Sequence, residues 1–143
     1  MQQPNSTILI SIKPRFVEKI LLKKKVLEFR RVWAAKPVEA IVIYASSPVR
    51  RIVAIAKVKA VHQGSRKALW ELADEKGGGI SREELYDYFS GKKTGYAVEL
   101  GRIVKARQSV DPKLLFANFR PPQSFYYLDS GKLKKIVAAV IGR

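Results

Sequence analysis

The segment 23–31, Lys-Lys-Lys-Val-Leu-Glu-Phe-Arg-Arg, constrains the fold of this chain most, because a run of lysines leads there directly into a strand pattern. The alternation that follows predicts that Leu27 and Phe29 lie on one side of a strand. Glu28 and Arg30 then lie together on the other side. A strand with one apolar face must be covered by other elements, so the segment is predicted to belong to a sheet with a charged outer surface.

The carboxylate in this segment is flanked by positive charge. Lys25 precedes the strand, so its side chain can reach the surface that carries Glu28 and Arg30. Nearby cations favour the ionised carboxylate, which makes Glu28 a good hydrogen-bond acceptor and a poor proton acceptor. A solvated lysine run followed by an edge strand with a Glu–Arg surface pair fits the same spacing. The spacing by itself favours this second interpretation.

Short strand and helix patterns surround this segment. Residues 7–12 have the pattern of a buried strand, and Pro14 suits the first position of a helix that continues through Leu21. Further strand patterns occupy residues 40–44, 52–61, 95–100 and 102–110. Residues 131–141 have an apolar stripe at helical spacing, which predicts a helix docked on the strands. Together these patterns predict an α+β fold, a small β-barrel flanked by helices.

Residues 66–90 are predicted to form a helical insertion between barrel strands. Ser81 and Glu84 have the spacing of a capping box, which marks a helix start, and the glycines 77–79 end the preceding helix. The segment 71–87 carries six acidic side chains and two basic ones. We therefore expect it to face away from any site for a polyanion.

The balance of charge points to a polyanionic partner. The chain has 28 Lys and Arg against 12 Asp and Glu, a formal net charge of +16. Residues 1–70 hold 15 basic and 3 acidic side chains, whereas residues 71–143 hold 13 and 9. The positive field thus belongs mainly to the half that carries the segment 23–31, and nucleic acid is the partner that this asymmetry favours.

Composition excludes several classes of site. The chain has no cysteine and one histidine, His62, so disulfides, thiol catalysis and zinc fingers are excluded, and we expect no metal and no cofactor. The 143 residues, 47% of them hydrophobic, fit a single domain spanning 1–143. No apolar run approaches the roughly 20 residues of a membrane span, and the N-terminus lacks a signal-peptide pattern. We expect a cytoplasmic protein without a membrane partner, and its oligomeric state is left open.

Three segments resemble one known family. Lys25-x-x-Glu28-x-Arg30 after a short helix is similar to the signature of the ASCH family, which belongs to the PUA-like superfamily of small β-barrels. The family usually has glycine two residues before the lysine, where this chain has Lys23. The segment 121–128, Pro-Pro-Gln-Ser-Phe-Tyr-Tyr-Leu, resembles the region near the end of many members. The segment 43–48, Ile-Tyr-Ala-Ser-Ser-Pro, resembles the second core strand and its turn.

The resemblance implies a PUA-like barrel that binds RNA or modified nucleic acid in a cleft beside the barrel. Carried over by position, it implies nucleic-acid-binding roles for Lys13, Lys25, Glu28, Arg30, Ser46, Ser47, Gln123, Ser124 and Phe125. In that set the cations suit phosphates and the carboxylate suits a base edge. The ring of Phe125 suits base stacking, although a core position is equally compatible with its surroundings in the sequence. The favoured ligand is RNA or another single-stranded nucleic acid.

A hydrolase is the alternative to a binding module. The resemblance also covers a branch that removes an acetyl group from acetylated cytidine with a lysine, a threonine and a glutamate, and another branch that cuts RNA. This chain has Glu28 where the deacetylating branch has threonine, so that triad cannot be carried over, and no catalytic residue is assigned to a binding module. A ribonuclease or amidohydrolase would use Lys25 and Glu28. A purely structural interaction domain would leave the positive charge unexplained.

Overall fold

A computed structural model describes residues 5–142 of the chain. In chain order the elements are β1 (Ser6–Ile12), α1 (Pro14–Leu21), β2 (Leu27–Arg30), β3 (Val38–Ala45), β4 (Arg51–Gly64), α2 (Arg66–Lys76), α3 (Arg82–Tyr88), β5 (Gly95–Val110), a 3₁₀ turn (Pro112–Leu114), β6 (Phe125–Leu128) and α4 (Ser130–Ile141). No helix in this range is long and apolar enough to cross a membrane. The α+β class predicted from the sequence is confirmed.

The six strands form one sheet in the order β2-β5-β4-β3-β1-β6. Only β1 and β3 pair in parallel, and the other neighbours are antiparallel. β2 and β6 are the two edges, so within residues 5–142 the ladder of backbone hydrogen bonds is open, and a closed barrel is not confirmed. Each edge strand has only four residues. The guanidinium of Arg30 connects the β2 edge to the end of β1 and to the residue before β6 through hydrogen bonds to two carbonyl oxygens.

Three apolar clusters hold the layers together. The central strands are buried on both faces: Ile8 and Ile10 of β1 pack with α1, whereas Leu9 packs with α4 on the opposite face. This burial explains why β1 and β3 are almost continuously apolar in sequence. The third cluster joins Leu27 and Phe29 of β2 to helices α2 and α3.

Residues 66–88 form the two helices α2 and α3 between β4 and β5. The hydroxyls of Ser65 and Ser81 cap them by accepting hydrogen bonds from the backbone amides of Ala68 and Glu84, as the capping pattern at Ser81 predicted. The expectation that this acidic segment faces away from the site is wrong. Glu84 forms an ion pair with Arg15 of α1, and the end of α3 lies in the same cleft as Glu28 and Arg30 of β2.

The second half of the sheet differs from the sequence pattern at one point. Residues 95–100 and 102–110 were predicted as two strands, and they form the single strand β5. The register between β4 and β5 shifts on either side of Val58, opposite Leu100 and near Gly101. A bulge bends a strand without ending it, so the break in the pattern at Gly101 marks an irregularity in the pairing. The helix predicted for 131–141 is confirmed as α4.

Candidate functional site

A narrow cleft of about 230 Å³ lies between the end of β1, helix α1, strand β2 and helix α3. The side chains that line it come from these four elements, from the turns next to them and from the segment before β6. They are Ser11, Ile12, Lys13, Phe16, Lys25, Glu28, Phe29, Arg30, Ile80, Glu84, Tyr88 and Gln123. Lys13, Lys25, Glu28, Arg30 and Gln123, which the sequence assigned to one site, are therefore brought together.

Lys25 is buried at the base of this cleft with 2% of its surface exposed. Its Nζ donates a hydrogen bond of 2.7 Å to the carbonyl oxygen of Gly78. The same nitrogen lies 4.8 Å from the ring centre of Phe16 and 4.7 Å from that of Phe29. Burial lowers the pKa of Lys25 to about 8, although the nearby carboxylate of Glu28 acts in the opposite direction. The sequence predicted an accessible cation here, and the structure shows a desolvated one.

The turn before Lys25 has Lys23 at the position where the family usually has glycine. Lys23 adopts a left-handed conformation, with φ of 61°. Its amide donates to the carbonyl of Ile20, and the amide of Lys24 donates to the carbonyl of Lys19. These two bonds define a Schellman motif at the end of α1, whose left-handed position is usually glycine. Lys23 thus keeps the turn despite the unfavourable backbone conformation.

Glu28 is the only acidic side chain buried within the cleft among the described residues, with 5% of its surface exposed. One carboxylate oxygen, Oε2, lies 3.2 Å from Nη1 of Arg30. The other oxygen, Oε1, has no hydrogen-bond partner in the described part of the chain. A carboxylate oxygen that no protein donor occupies is a strong acceptor for a donor that enters the cleft.

Arg30 holds the site together. Its Nη1 donates to the backbone carbonyl of Ser11 at 3.2 Å and its Nη2 to that of Ser124 at 2.8 Å, in addition to the contact with Glu28. The planar guanidinium suits this three-way contact, since its donors diverge in fixed directions. Arg30 was predicted to bind phosphate, but its donors are largely occupied by protein acceptors. Lys13, exposed at the start of α1, is the freer cation of the cleft.

A wider basin of about 760 Å³ adjoins the cleft, and both are lined by Ser11 and Gln123. Ser46 and Ser47, predicted for the same site as Glu28, line the basin and not the cleft. The other lining side chains are Tyr44, Arg50, Arg51, Asp111, Pro112, Lys113, Phe119, Pro121 and Pro122. Burial raises the pKa of Tyr44, so its hydroxyl stays protonated at neutral pH.

Two predicted residues lie beside the cavities without lining them. The ring of Phe125 packs against the apolar cluster under α1 and meets the ring of Tyr127 edge-on at 5.5 Å. The backbone carbonyl of Ser124 accepts a hydrogen bond from Arg30. The buried hydroxyl of Ser124 has no hydrogen-bond partner among the described residues. Phe125 is therefore not positioned as the stacking ring of the cleft.

The aromatic ring at the mouth of the cleft belongs to Tyr88, at the end of α3. Tyr88 is 36% exposed, and its partial burial raises the pKa of its hydroxyl. Arg31 anchors this end of the helix by donating to the backbone carbonyls of Tyr88 and Ser90 at 2.6 and 2.9 Å. Sequence reasoning missed Tyr88 and Ser11. Ser11 left a signal, since it is the polar interruption of the apolar strand β1, whereas nothing in the pattern of α3 singled out Tyr88.

The fold and the cleft define a class of protein: an α+β domain with a cation-rich pocket around one buried carboxylate. Within residues 5–142 no group of three or more His, Cys, Asp or Glu side chains could hold a metal ion. The side chains that line the cleft offer hydrogen-bonding, ionic and aromatic contacts.

Comparison with known proteins identifies the family. The ASCH domain-containing ribonuclease of Zymomonas mobilis is 32% identical over 132 residues, which cover 90% of this chain and 88% of that protein. The crystal structure of ASCH from Zymomonas mobilis matches with a TM-score of 0.84 and 31% identity over 93% of this chain and 94% of that one. The chain belongs to the ASCH domain family, which confirms the resemblance seen in the sequence.

A more distant structure shares the fold alone. The N-terminal domain of Staphylothermus marinus McrB matches with a TM-score of 0.53 and 11% identity, over 96% of this chain and 99% of that one. No family model matches the chain.

Proposed function

We propose that this protein binds single-stranded RNA and holds one unpaired base in the cleft around Glu28. The observation that carries the proposal is the buried carboxylate, which keeps one oxygen free in a pocket whose other charged groups are mostly cations. Unstacked bases are what proteins read in single-stranded RNA, by stacking and by hydrogen bonds to base edges. The net charge of +16 and the name of the Zymomonas mobilis relative, a ribonuclease, support RNA as the ligand. A cytoplasmic location belongs to the same proposal.

Each group of the cleft has a role in this proposal. Oε1 of Glu28 accepts a hydrogen bond from the exocyclic amine of a base such as cytosine, as acidic side chains do in base recognition. The ring of Tyr88 stacks on the base at the mouth of the cleft. Lys13 contacts the phosphate of the bound nucleotide, and Arg30 keeps Glu28 in place.

The basin receives the neighbouring nucleotide. Gln123 lines both cavities, so a strand that leaves the cleft past this side chain enters the basin. Arg50, Arg51 and Lys113 supply cations there, with Asp111 as the opposing charge. The hydroxyls of Ser46 and Ser47 suit contacts to phosphate or sugar oxygens.

Substitution of Glu28 tests the proposal. Glu28→Gln keeps the shape but replaces one acceptor by a donor, so we expect discrimination between bases to fall by about 1 to 3 kcal/mol while binding to all sequences persists. The measurement is fluorescence-anisotropy titration with single-stranded RNAs that differ at one base. Glu84→Gln is the matched control, because this carboxylate also lines the cleft but is only half-buried and is paired with Arg15. Equal base preference in wild type and Glu28→Gln contradicts the proposal.

Cleavage of RNA is the second candidate function, and the ribonuclease name of the relative favours it. In the cleft, Lys25 has a pKa of about 8 and can exchange a proton near neutral pH, with Glu28 beside it. In the basin, the protonated hydroxyl of Tyr44 lies among arginines that suit a developing phosphate charge.

Product analysis after incubation with single-stranded RNA, and separately with acetylated cytidine, distinguishes these functions. If the cleft cleaves RNA, Lys25→Met and Glu28→Gln both abolish product while RNA still binds. If the basin does so, Tyr44→Phe abolishes product and Lys25→Met does not. No product from wild type leaves the binding module as the function of this chain.

A further inference from the structure

A second group of cations lies on the face of the sheet opposite to the cleft. In the β2–β5 pair, Glu28 is opposite Val98, and Leu27 is opposite Glu99. Because side chains alternate along a strand, Glu28 and Glu99 point to opposite faces of this pair. Glu99 does not line the cleft, so its surroundings form a separate surface.

Glu99 gathers three basic side chains. Its carboxylate lies 3.0 Å from Nε2 of His62, 3.6 Å from Nζ of Lys59 and 3.8 Å from Nζ of Lys76. The hydrogen bond from His62, reinforced by the two lysines, holds the pKa of Glu99 below its ordinary range. One carboxylate shared between two lysines neutralises only part of their charge, so this surface keeps a positive excess.

Two more cations extend this surface along β4 and β5. A Cβ added at Gly101 would lie 3.7 Å from Cβ of Lys57 and 3.8 Å from Cβ of Lys59. Gly101 therefore lies next to both lysines and places no side chain between them. Lys57 and Arg102 line one depression of about 270 Å³, together with Glu39. Neither Lys57 nor Arg102 forms an ion pair within the described part of the chain. We name Lys57, Lys59, Lys76 and Arg102 the basic row.

The backbone before β2 and the backbone after Lys76 lie next to each other at this edge of the sheet. Lys24 is exposed and directly precedes the buried Lys25 of the cleft. Its carbonyl oxygen lies 3.5 Å from the Cβ position of Gly77, the residue that follows Lys76. Because β2 is a four-residue edge strand, no further strand separates the two surfaces at this side.

We infer that the basic row binds backbone phosphates of an RNA strand that leaves the cleft and passes around the β2 edge. This inference rests on the proposed binding of RNA in the cleft. Phosphate contacts require cations on an open surface and no deep pocket, which is what Gly101 and its neighbours provide. The basic row thus adds affinity for longer RNA without base preference, whereas the cleft selects the base.

The test compares RNA of about 4 nucleotides with RNA of about 20 nucleotides, a length that exceeds a single-site footprint. The variant Lys57→Ala/Lys59→Ala/Arg102→Ala removes three contacts, so the slope of log K against log salt for the long RNA should become less negative by about 2. Binding of the short RNA should stay within about twofold of wild type, since no charge of the cleft has changed. The control Lys92→Ala/Lys93→Ala/Lys135→Ala removes the same charge from side chains that line neither cavity, and it should keep the wild-type slope. Lys93 and Lys135 are exposed and Lys92 is half-buried.

Three results overturn the inference. The first is an unchanged slope for long RNA in the basic-row variant, and the second is an equal change in the control. The third is tighter binding of an acidic peptide than of RNA at the basic row, which assigns the surface to a protein partner. Loss of base preference in Glu28→Gln is a separate measurement. If the basic-row variant changes the salt slope for long RNA but Glu28→Gln leaves base preference unchanged, the proposed role of the cleft is contradicted. The inference about the basic row is then still supported.

Discussion

Lys25 is a cation held between two aromatic rings, and this placement links the stability of the protein to pH. At neutral pH the folded state keeps a proton on a side chain whose pKa burial has lowered from 10.5 to about 8. The hydrogen bond to Gly78 and the rings of Phe16 and Phe29 compensate only part of the lost hydration. The cleft therefore contains a group that opposes folding while it is charged.

The pH dependence follows from the sign of this shift. Below pH 8 the folded and unfolded states both carry the proton, and the pKa difference corresponds to a cost of roughly 3 kcal/mol. Between pH 8 and 10.5 the unfolded state binds more protons, so this cost falls as pH rises. Lys25→Met removes both the charge and its hydrogen bond, and we expect it to raise the free energy of unfolding at pH 7 by roughly 1 to 2 kcal/mol.

Urea unfolding of wild type and Lys25→Met at pH 7 and pH 10 measures this effect, and the advantage of the variant should shrink at pH 10. Lys24→Met is the matched control, because Lys24 is the exposed neighbour and its substitution should change stability little at either pH. A variant that is less stable than wild type at pH 7 contradicts this account.

Single residues show where sequence reasoning reached its limit in the site. Alternation along the strand predicted that Glu28 and Arg30 lie on one side, whereas the assignment of Lys25 to the same site came from the resemblance to the ASCH family. The stacking ring could not be found in the same way. Whether Phe125 or Tyr88 reaches the cleft depends on how α3 packs against β2, and that packing comes from contacts distant in sequence.

The glycine loop between α2 and α3 holds the side chain of Lys25 in the cleft. Sequence reasoning interpreted residues 77–79 as the end of a helix. The structure adds a specific role, because the carbonyls of Gly78 and Gly79 accept hydrogen bonds from Lys25 and Lys19. A run of glycines predicts a backbone with few conformational restrictions, but it does not predict which side chain packs against that backbone.

Gly79→Ala tests this packing. Gly79 has a φ of 65°, and a Cβ there would lie 2.7 Å from Cβ of the buried Lys25. Backbone strain and overpacking together should lower the free energy of unfolding by roughly 2 to 4 kcal/mol. Gly91→Ala is the matched control, since Gly91 has a φ of 80° and nothing within 4 Å of the added Cβ. It should cost about 1 kcal/mol, from backbone strain alone.

Thermal and urea unfolding of these two variants separates backbone strain from overpacking, because only Gly79→Ala adds a contact with Lys25. Equal losses in both variants would mean that Lys25 can move aside. In that case the glycine loop does not fix the lysine, and RNA binding by Gly79→Ala should resemble that of wild type.

At the scale of the whole molecule, the sequence predicted the elements better than their closure. Strands β1 to β4, α1, the capped helices and α4 follow from local periodicity and caps, which act over a few residues. No strand was predicted at β6, and β5 was predicted as two strands. Closure of a barrel depends on whether the two edge strands meet, and β2 and β6 lie at the two ends of one sheet. Arg30 spans that opening with a side chain, an arrangement that no periodic pattern encodes.

The distribution of charge over the molecule leads to the last prediction. If the strand contacts cations of the cleft, the basin and the basic row, on the order of six phosphates are neutralised. For single-stranded RNA this number gives a slope of log K against log salt of about −4, so raising salt from about 50 to 200 mM should weaken binding by several hundred-fold. Titrations at four salt concentrations measure the slope. A neutral-backbone oligomer of the same sequence is the control, because it should bind weakly and with almost no salt dependence. A slope near zero for RNA, or equal binding of both oligomers, would show that the +16 charge does not serve to bind a phosphate backbone.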